Sequence, residues 1–242
     1  MFLAEVSKDV LNSPQPQVKD IVIMGILRHA WWFGRDTAHK LLNIPKKADP
    51  AMVAQFEHFL SFDSAQRVAI DDPHAVLIFG LAISHKPGQV LEIGVGSGFL
   101  TQTLLNALDY NQCGTLTCVD NWYDTDGKEP KFFDELRSRG ARFTFSSEEE
   151  FVKNCEAEAY DFILSDGDHF NSGEWIDDTL RILRPGGVVV FHDTNQPDVF
   201  PSLGKVVKRV EELGLPHYHF TQKSRKDERT DRGLFLVFKM VA

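Results

Sequence analysis

The sequence has few cysteines, and they are not spaced for a disulfide framework or a zinc site. The three are Cys113, Cys118 and Cys155, an odd number without the paired spacing of thiolate ligands. Free thiols of this kind are typical of a reducing compartment. We therefore expect a cytoplasmic protein.

Long apolar runs are also absent. The longest, residues 21–27 and 76–83, are much shorter than the roughly 20 apolar residues of a membrane-spanning helix. The first residues include Glu5 and Lys8, where a signal peptide would be apolar. We expect neither export nor membrane association.

Positive charge is in deficit. The chain has 26 Lys and Arg against 35 Asp and Glu, a net charge of -9, which would repel a phosphate backbone. The basic residues between positions 223 and 232 alternate with acidic ones, as in a solvated hairpin tip. The fourth predicted strand also lacks the Pro-Pro-aromatic pocket for a flipped base. Nucleic acid is not an expected partner.

From residue 89 onward the chain alternates short apolar runs with amphipathic stretches, which predicts an α/β fold with a mainly parallel sheet. Glycine and proline residues at the boundaries predict helices over residues 131–139, 175–183 and 203–213. The second helix is expected to end at Arg-Pro-Gly-Gly, residues 184–187. A terminal antiparallel hairpin is expected at 218–221 and 234–238. The other predicted strands are residues 90–93, 116–119, 142–145, 162–164 and 188–191.

Residues 1–75 differ from the rest, since they are helical in composition and interrupted by prolines. We interpret them as a cap on a domain formed by residues 76–242. The cap is rich in aromatic residues, which either form its core or cover the acceptor pocket as a lid or homodimer surface. These aromatic residues are Trp31, Trp32, Phe33, Phe56, Phe59 and Phe62.

The first predicted strand runs into a glycine loop, Gly94-Val95-Gly96-Ser97-Gly98, followed by an apolar helix. Glycines in such a turn let backbone N–H groups approach a ligand closely. The spacing is Gly-x-Gly-x-Gly, unlike the dinucleotide pattern, and Glu92 suits the ammonium group of S-adenosylmethionine better than a pyrophosphate. The alternative is that these glycines only make a tight turn.

The ends of the next two strands carry further candidates for the cofactor site. Asp120 ends the second strand, 22 residues after Gly98, where a carboxylate can accept hydrogen bonds from ribose hydroxyls. Asn121 follows it, and Trp122 is placed to cover the adenine ring. Ser147, after the third strand, is a candidate for the edge of the adenine.

The fourth strand ends in Asp166-Gly167-Asp168-His169 and the fifth in His192-Asp193. Neighbouring strand ends lie about 4.8 Å apart, so these carboxylates can share a divalent cation that lowers the pKa of a substrate hydroxyl. His169 or Asp168 would then take the proton. The alternatives are that the carboxylates cap the helix near Ser172 or bind substrate directly.

Together these motifs resemble class I S-adenosylmethionine-dependent methyltransferases over about residues 75–242. Within that class the chain is similar to metal-dependent small-molecule O-methyltransferases of the catechol and macrolide-sugar types. The resemblance implies strand order 3-2-1-4-5-7-6 with strand 7 antiparallel, and metal ligands at Asp166 and Asp193. Relatives often have an acidic residue or Asn beside the second ligand; His192 here would shift the preference from magnesium toward manganese.

The sequence therefore predicts a methyltransferase that binds S-adenosylmethionine through Glu92 and the glycine loop, with Asp166 serving both cofactor and metal. Its acceptor would be a hydroxyl of a small molecule such as a sugar or phenol. Two alternatives stay open: a nucleotide-binding oxidoreductase, and a non-catalytic cofactor-binding module on the same fold.

Overall fold

The computed structural model describes residues 72–121, 132–196, 198–220 and 232–241. The predicted cap is outside these ranges except for its last four residues. Trp122 and most of the charged 223–232 loop are outside them too. Within the described ranges, no helix combines the length and the apolar character needed to cross a bilayer.

The described residues form fourteen helices, strands and turns, with helices and strands mostly alternating along the chain. In order they are α1 (Asp72–His85), β1 (Gln89–Ile93), α2 (Phe99–Asn111), β2 (Thr115–Asp120), α3 (Phe132–Ser138), β3 (Ala141–Phe145), α4 (Glu148–Asn154), β4 (Tyr160–Ser165), a 3-10 turn (Ser172–Trp175), α5 (Ile176–Ile182), β5 (Leu183–His192), α6 (Pro201–Glu212), β6 (His217–Phe220) and β7 (Leu234–Phe238). Helix α1 begins before residue 76, so it crosses the predicted boundary between cap and domain.

The seven strands form one sheet in the order β3-β2-β1-β4-β5-β7-β6. β7 pairs antiparallel with both β5 and β6, and the remaining pairs are parallel. The predicted fold class, strand order and terminal hairpin are confirmed. Because β1 lies between β2 and β4, the chain reverses its direction of winding there, which is where open α/β sheets bind ligands.

β5 is longer than the sequence predicted. Residues 184–187 were expected to end a helix, but the helix ends at Ile182 and the strand begins at the next residue. Leu183 pairs with Tyr160 and Val188 with Phe162, so the register shifts across the intervening residues. The Pro-Gly-Gly segment therefore forms an irregular part of the strand, because flexible glycines accommodate the extra residues.

Two buried clusters cover the two faces of the sheet. Strand alternation divides them: Phe162 and Leu164 of β4 join the cluster under α1, α2 and α3, whereas Ile163 joins the one under α4, α5 and α6. The central strands are buried on both faces, which explains why their sequences are continuous apolar runs. This rigid sheet fixes the positions of the loops at its carboxyl edge.

Replacing Leu91, which is fully buried in β1, tests the importance of this core. We expect Leu91→Ala to lower the free energy of unfolding by about 2–5 kcal/mol, because it removes apolar contacts and leaves a cavity. Urea denaturation measures the change. Leu213→Ala is the matched control, since that side chain is 43% exposed. Equal losses for the two variants would contradict this account of the core.

Candidate functional site

The glycine loop connects β1 to α2 in a conformation that requires glycine. Gly94, Gly96 and Gly98 have φ values of +84°, +51° and +75°. At Gly94 a Cβ atom would lie 2.3 Å from the carbonyl oxygen of Asp166, so any side chain would push the loop away from the end of β4. Gly98 donates its N–H to the carbonyl of Val95 at 2.8 Å and begins the helix. A loop of this kind at the start of a helix can present backbone N–H groups to a ligand.

Asp120 holds the glycine loop from the end of β2. Its Oδ2 accepts hydrogen bonds from the backbone N–H of Val95 at 2.7 Å and of Gly96 at 3.3 Å. The carboxylate predicted to contact the ribose therefore also orders the glycine loop. Asn121 follows it and is exposed.

Glu92 is fully buried beneath the loop. The Cys118 thiol donates to its Oε2 at 3.4 Å, whereas Oε1 is buried without a hydrogen-bond partner. Burial, with a smaller contribution from the Asp166 and Asp120 carboxylates, raises the pKa of Glu92 to about 8. The side chain is thus mainly protonated at neutral pH. The burial of Glu92 could not be read from the sequence, and its contact with the ammonium group of the cofactor stays a prediction.

Ser147 and Glu148 have structural roles at the start of α4. The Ser147 side chain is the helix N-cap, accepting from the Glu150 N–H at 3.2 Å. Glu148 is buried, and its carboxylate accepts from the Asp168 N–H at 2.8 Å and from the Ser165 hydroxyl at 3.4 Å. Glu148 therefore fixes the turn that follows β4.

Four side chains converge at the ends of β4 and β5. Asp166, His169, His192 and Asp193 each offer one ligand atom, and these atoms lie within 4.8 Å of one another. His192 Nδ1 lies 2.9 Å from Asp166 Oδ1, and His169 Nε2 lies 3.0 Å from Asp193 Oδ2. All three predicted metal ligands are in this cluster. His169, predicted as a base, is its fourth member.

The cluster contains polar atoms without a hydrogen bond. His169 Nε2 is close to the Asp166 and Asp193 carboxylates but is not aligned for a hydrogen bond with either. Asp193 Oδ1 is also buried without a hydrogen-bond partner. Both atoms belong to residues of the four-residue cluster. Two carboxylates and two imidazoles match the donor set of a divalent cation. The residues present thus fit the metal that the resemblance implies.

In the cation-free cluster the histidines bind protons tightly. Burial alone would lower the pKa of His169, but the Asp166 and Asp193 carboxylates raise it to about 10. Burial would likewise lower the pKa of His192, which these carboxylates raise above its usual value. Burial opposes ionisation of Asp166, yet His192 and His169 hold its pKa well below the usual range. His169 can accept a proton at neutral pH only after losing its own, which a bound cation would promote.

Asp168, the competing base, is occupied within its own turn. Its Oδ1 accepts from the backbone N–H groups of Phe170 at 3.0 Å and Asn171 at 3.1 Å, and its Oδ2 accepts from the Asn171 amide at 2.9 Å. Asp168 thus orders the turn that precedes the helix, whereas the helix itself has Asn171 as its N-cap and no side-chain capping bond. Asp168 is not part of the four-residue cluster.

The structure adds neighbours that sequence reasoning missed. His74 of α1 contacts His192, with 3.2 Å between Nδ1 and Nε2. Arg232 Nη1 lies 3.5 Å from Asp193 Oδ2. The Phe200 ring packs against His169, with centroids 4.8 Å apart. No local pattern around these residues indicates such contacts, because each depends on how distant elements meet.

Comparisons with known proteins agree with this geometry. Residues 91–194 match the family described as "Methyltransferase domain", a segment that includes the glycine loop, Asp120 and the four-residue cluster. A protein of Mycobacterium sp. (strain JLS) named "Putative O-methyltransferase" is 27% identical over 161 residues, which are 61% of this chain and 72% of that protein.

Solved structures share the fold at low sequence identity. A Corynebacterium glutamicum protein is 18% identical with a TM-score of 0.57, covering 86% of this chain and 97% of its own. TomG from Streptomyces achromogenes, an O-methyltransferase involved in tomaymycin synthesis and solved with SAM, is 18% identical with a TM-score of 0.55, covering 84% and 95%.

The raised pKa of Glu92 predicts a pH-dependent stability. The unfolded chain releases this proton near the usual value of 4.5 and the folded chain near 8, so unfolding between these values releases a proton. Wild-type stability should therefore fall relative to Glu92→Gln by roughly 1 kcal/mol per pH unit between pH 5 and 8. Urea unfolding at several pH values measures it. The exposed control Glu211→Gln should keep a constant offset; a constant offset for Glu92→Gln would rule out the raised pKa.

Proposed function

We propose that this chain is an S-adenosylmethionine-dependent methyltransferase that transfers the methyl group to a hydroxyl oxygen of a small molecule, assisted by one divalent cation. The observation that carries this proposal is the contact between the glycine loop and the four-residue cluster. Asp166 donates its N–H to the Ile93 carbonyl at 2.8 Å, and its own carbonyl lies against Gly94. A methyl donor at the loop and an acceptor at the cluster would therefore be neighbours.

The donor site consists of the residues around the glycine loop. We assign the cofactor to the loop of Gly94, Gly96 and Gly98, in which Gly96 has open space beside its Cα atom. Asp120 orders the loop beside the position proposed for the ribose. The unpartnered Oε1 of Glu92 can meet a polar group of the methionine part. Asn121 and Trp122 remain predicted contacts to the adenosine. The Ser147 hydroxyl already caps a helix, so we assign it no cofactor contact.

We assign cation binding to Asp166, His192 and Asp193, whose ligand atoms belong to the cluster. A divalent cation bound there would lower the pKa of the acceptor hydroxyl. Arg232 shares the Asp193 carboxylate at 3.5 Å and offsets part of the negative charge. Magnesium and manganese are both compatible with these donors.

The transfer forms a bond between the hydroxyl oxygen and the methyl carbon as the bond from that carbon to sulfur breaks, leaving a neutral thioether. The hydroxyl proton must go to a base, and we assign this role to the Nε2 of His169, which has no aligned hydrogen bond. The Phe200 ring holds the imidazole from the side. The cluster orients the oxygen, so the residues contribute mainly through near-attack geometry.

The O-methyltransferase names of two compared proteins support oxygen as the acceptor atom. The oxidoreductase alternative does not explain the match to a methyltransferase domain, so we set it aside. A small-molecule acceptor fits the negative net charge of -9. A cytoplasmic location and a homodimer formed through the cap remain predictions.

Asp193→Asn tests the cation. Asp193 has a φ of +60°, a conformation that Asn also tolerates, so the backbone should not change. Because loss of even an outer partner costs 10–100-fold, loss of a ligand should lower manganese affinity by about 100-fold or more. Methyl transfer to a panel of phenols and sugars should fall with it, while S-adenosylmethionine still binds. Titration calorimetry and a radiolabelled methyl assay measure these effects.

The matched control is Asp134→Asn, whose side chain is 85% exposed and should behave like wild type. His169→Gln should retain manganese affinity and lose turnover if this residue is the base. Full turnover of the wild type in the presence of a chelator would disprove the cation's role. Cofactor binding without transfer to any acceptor would favour the non-catalytic alternative.

A further inference from the structure

His74 lies in the first turn of α1 and is 3% exposed. Its ring meets the ring of His192 edge-on, with centroids 5.3 Å apart and an interplanar angle of 82°. The Nδ1 of His74 is 3.2 Å from the Nε2 of His192. A buried pair of imidazoles at this distance shares one proton in a hydrogen bond, since one nitrogen must donate and the other accept.

His192 has different partners on its two ring nitrogens. Nε2 faces His74, while Nδ1 lies 2.9 Å from Asp166 Oδ1 and 3.4 Å from Asp193 Oδ1. The residue is 1% exposed, so water cannot replace either partner. A histidine binds a metal through a nitrogen lone pair, and the hydrogen bond at its other nitrogen decides where that lone pair is.

We propose that His74 is a positioning residue for the cation site: it accepts the Nε2 proton of His192, so that the Nδ1 lone pair can bind a cation held jointly with Asp166 and Asp193, and it thereby gives the site a preference for first-row transition cations over magnesium. This inference rests on the proposed function, which places a cation in the cluster. The inference adds His74, which is not at a strand end, to the residues of the cation site. It attributes the preference among cations to the contact between α1 and β5.

The opposite tautomer explains why the contact matters. If Nε2 had no acceptor, His192 would carry its proton on Nδ1 and donate it to Asp166, 2.9 Å away. The ring nitrogen would then be lost as a ligand. The remaining carboxylate oxygens would suit magnesium, which prefers oxygen, whereas imidazole nitrogen suits manganese, cobalt and zinc.

The test uses the whole protein and two variants of His74. His74→Phe keeps a flat ring but removes the acceptor, while His74→Asn restores an acceptor because its Oδ1 occupies a position similar to that of Nδ1. Titration calorimetry with manganese, cobalt, zinc and magnesium salts alone gives the affinity ratios. Nitrogen-15 spectra of the zinc-loaded protein report which nitrogen of His192 carries the proton. His85→Phe, on the same helix, is the matched control.

We expect the wild type to bind the transition cations at least about tenfold more tightly than magnesium. His74→Phe should lose about 10–100-fold in affinity for them and little for magnesium, while His74→Asn recovers most of the loss. S-adenosylmethionine affinity and the melting temperature show whether each variant is folded. If His74→Phe is unfolded, the zinc spectra of the wild type decide: a proton on Nε2 supports the inference and a proton on Nδ1 overturns it.

Two other results would overturn the inference and are distinguishable from each other. If wild type and His74→Phe have the same affinities for all four cations, the cation site stands, but His74 does not determine its preference among cations. If the wild type binds S-adenosylmethionine but none of the four cations, the cation part of the proposed function fails as well.

Discussion

The site depends on the close approach of two turns, the glycine loop after β1 and the turn after β4. Gly94 accommodates this contact because a Cβ atom there would lie 2.3 Å from the Asp166 carbonyl oxygen. Gly167 completes it, since its own Cβ would lie 3.0 Å from the Ile93 side chain and 3.5 Å from the Gly94 nitrogen. The two turns are held by the pairing of β1 and β4 in the middle of the sheet. The paired strands β1 and β4 therefore fix the glycine loop and the four-residue cluster relative to each other.

The carboxyl edge concentrates buried ionisable groups that would be costly elsewhere. Glu92 and Glu148 both have raised pKa values because burial disfavours their charged forms. Asp166, in contrast, keeps its charge because His192 and His169 surround it. Neighbouring carboxylates thus differ in protonation over a short distance. Burial favours the neutral forms of Glu92 and Glu148, which form hydrogen bonds in the scaffold, whereas the histidines keep Asp166 ionised in the cluster.

Much of this architecture could be predicted from the sequence, because parallel strands buried on both faces leave recognisable apolar runs. The positions of Asp120, Asp166, His192 and Asp193 along one edge could be predicted because each is at or next to a strand end, and the carboxyl ends of parallel strands meet there. The irregular start of β5 was missed because Pro-Gly-Gly also signals the end of a helix. The neutral state of Glu92 and the contact of His74 with His192 depend on burial and on packing between residues 118 positions apart, which no local pattern records.

The backbone of Asp193 limits how a site of this kind can evolve. With φ at +60°, position 193 readily admits only Asp, Asn or Gly, because larger or branched side chains are strained there. Position 192 is still within β5 and has no such restriction. Substitution at position 192 therefore changes the donor atoms of the four-residue cluster without straining the backbone, whereas at position 193 the backbone itself restricts the choice of side chain.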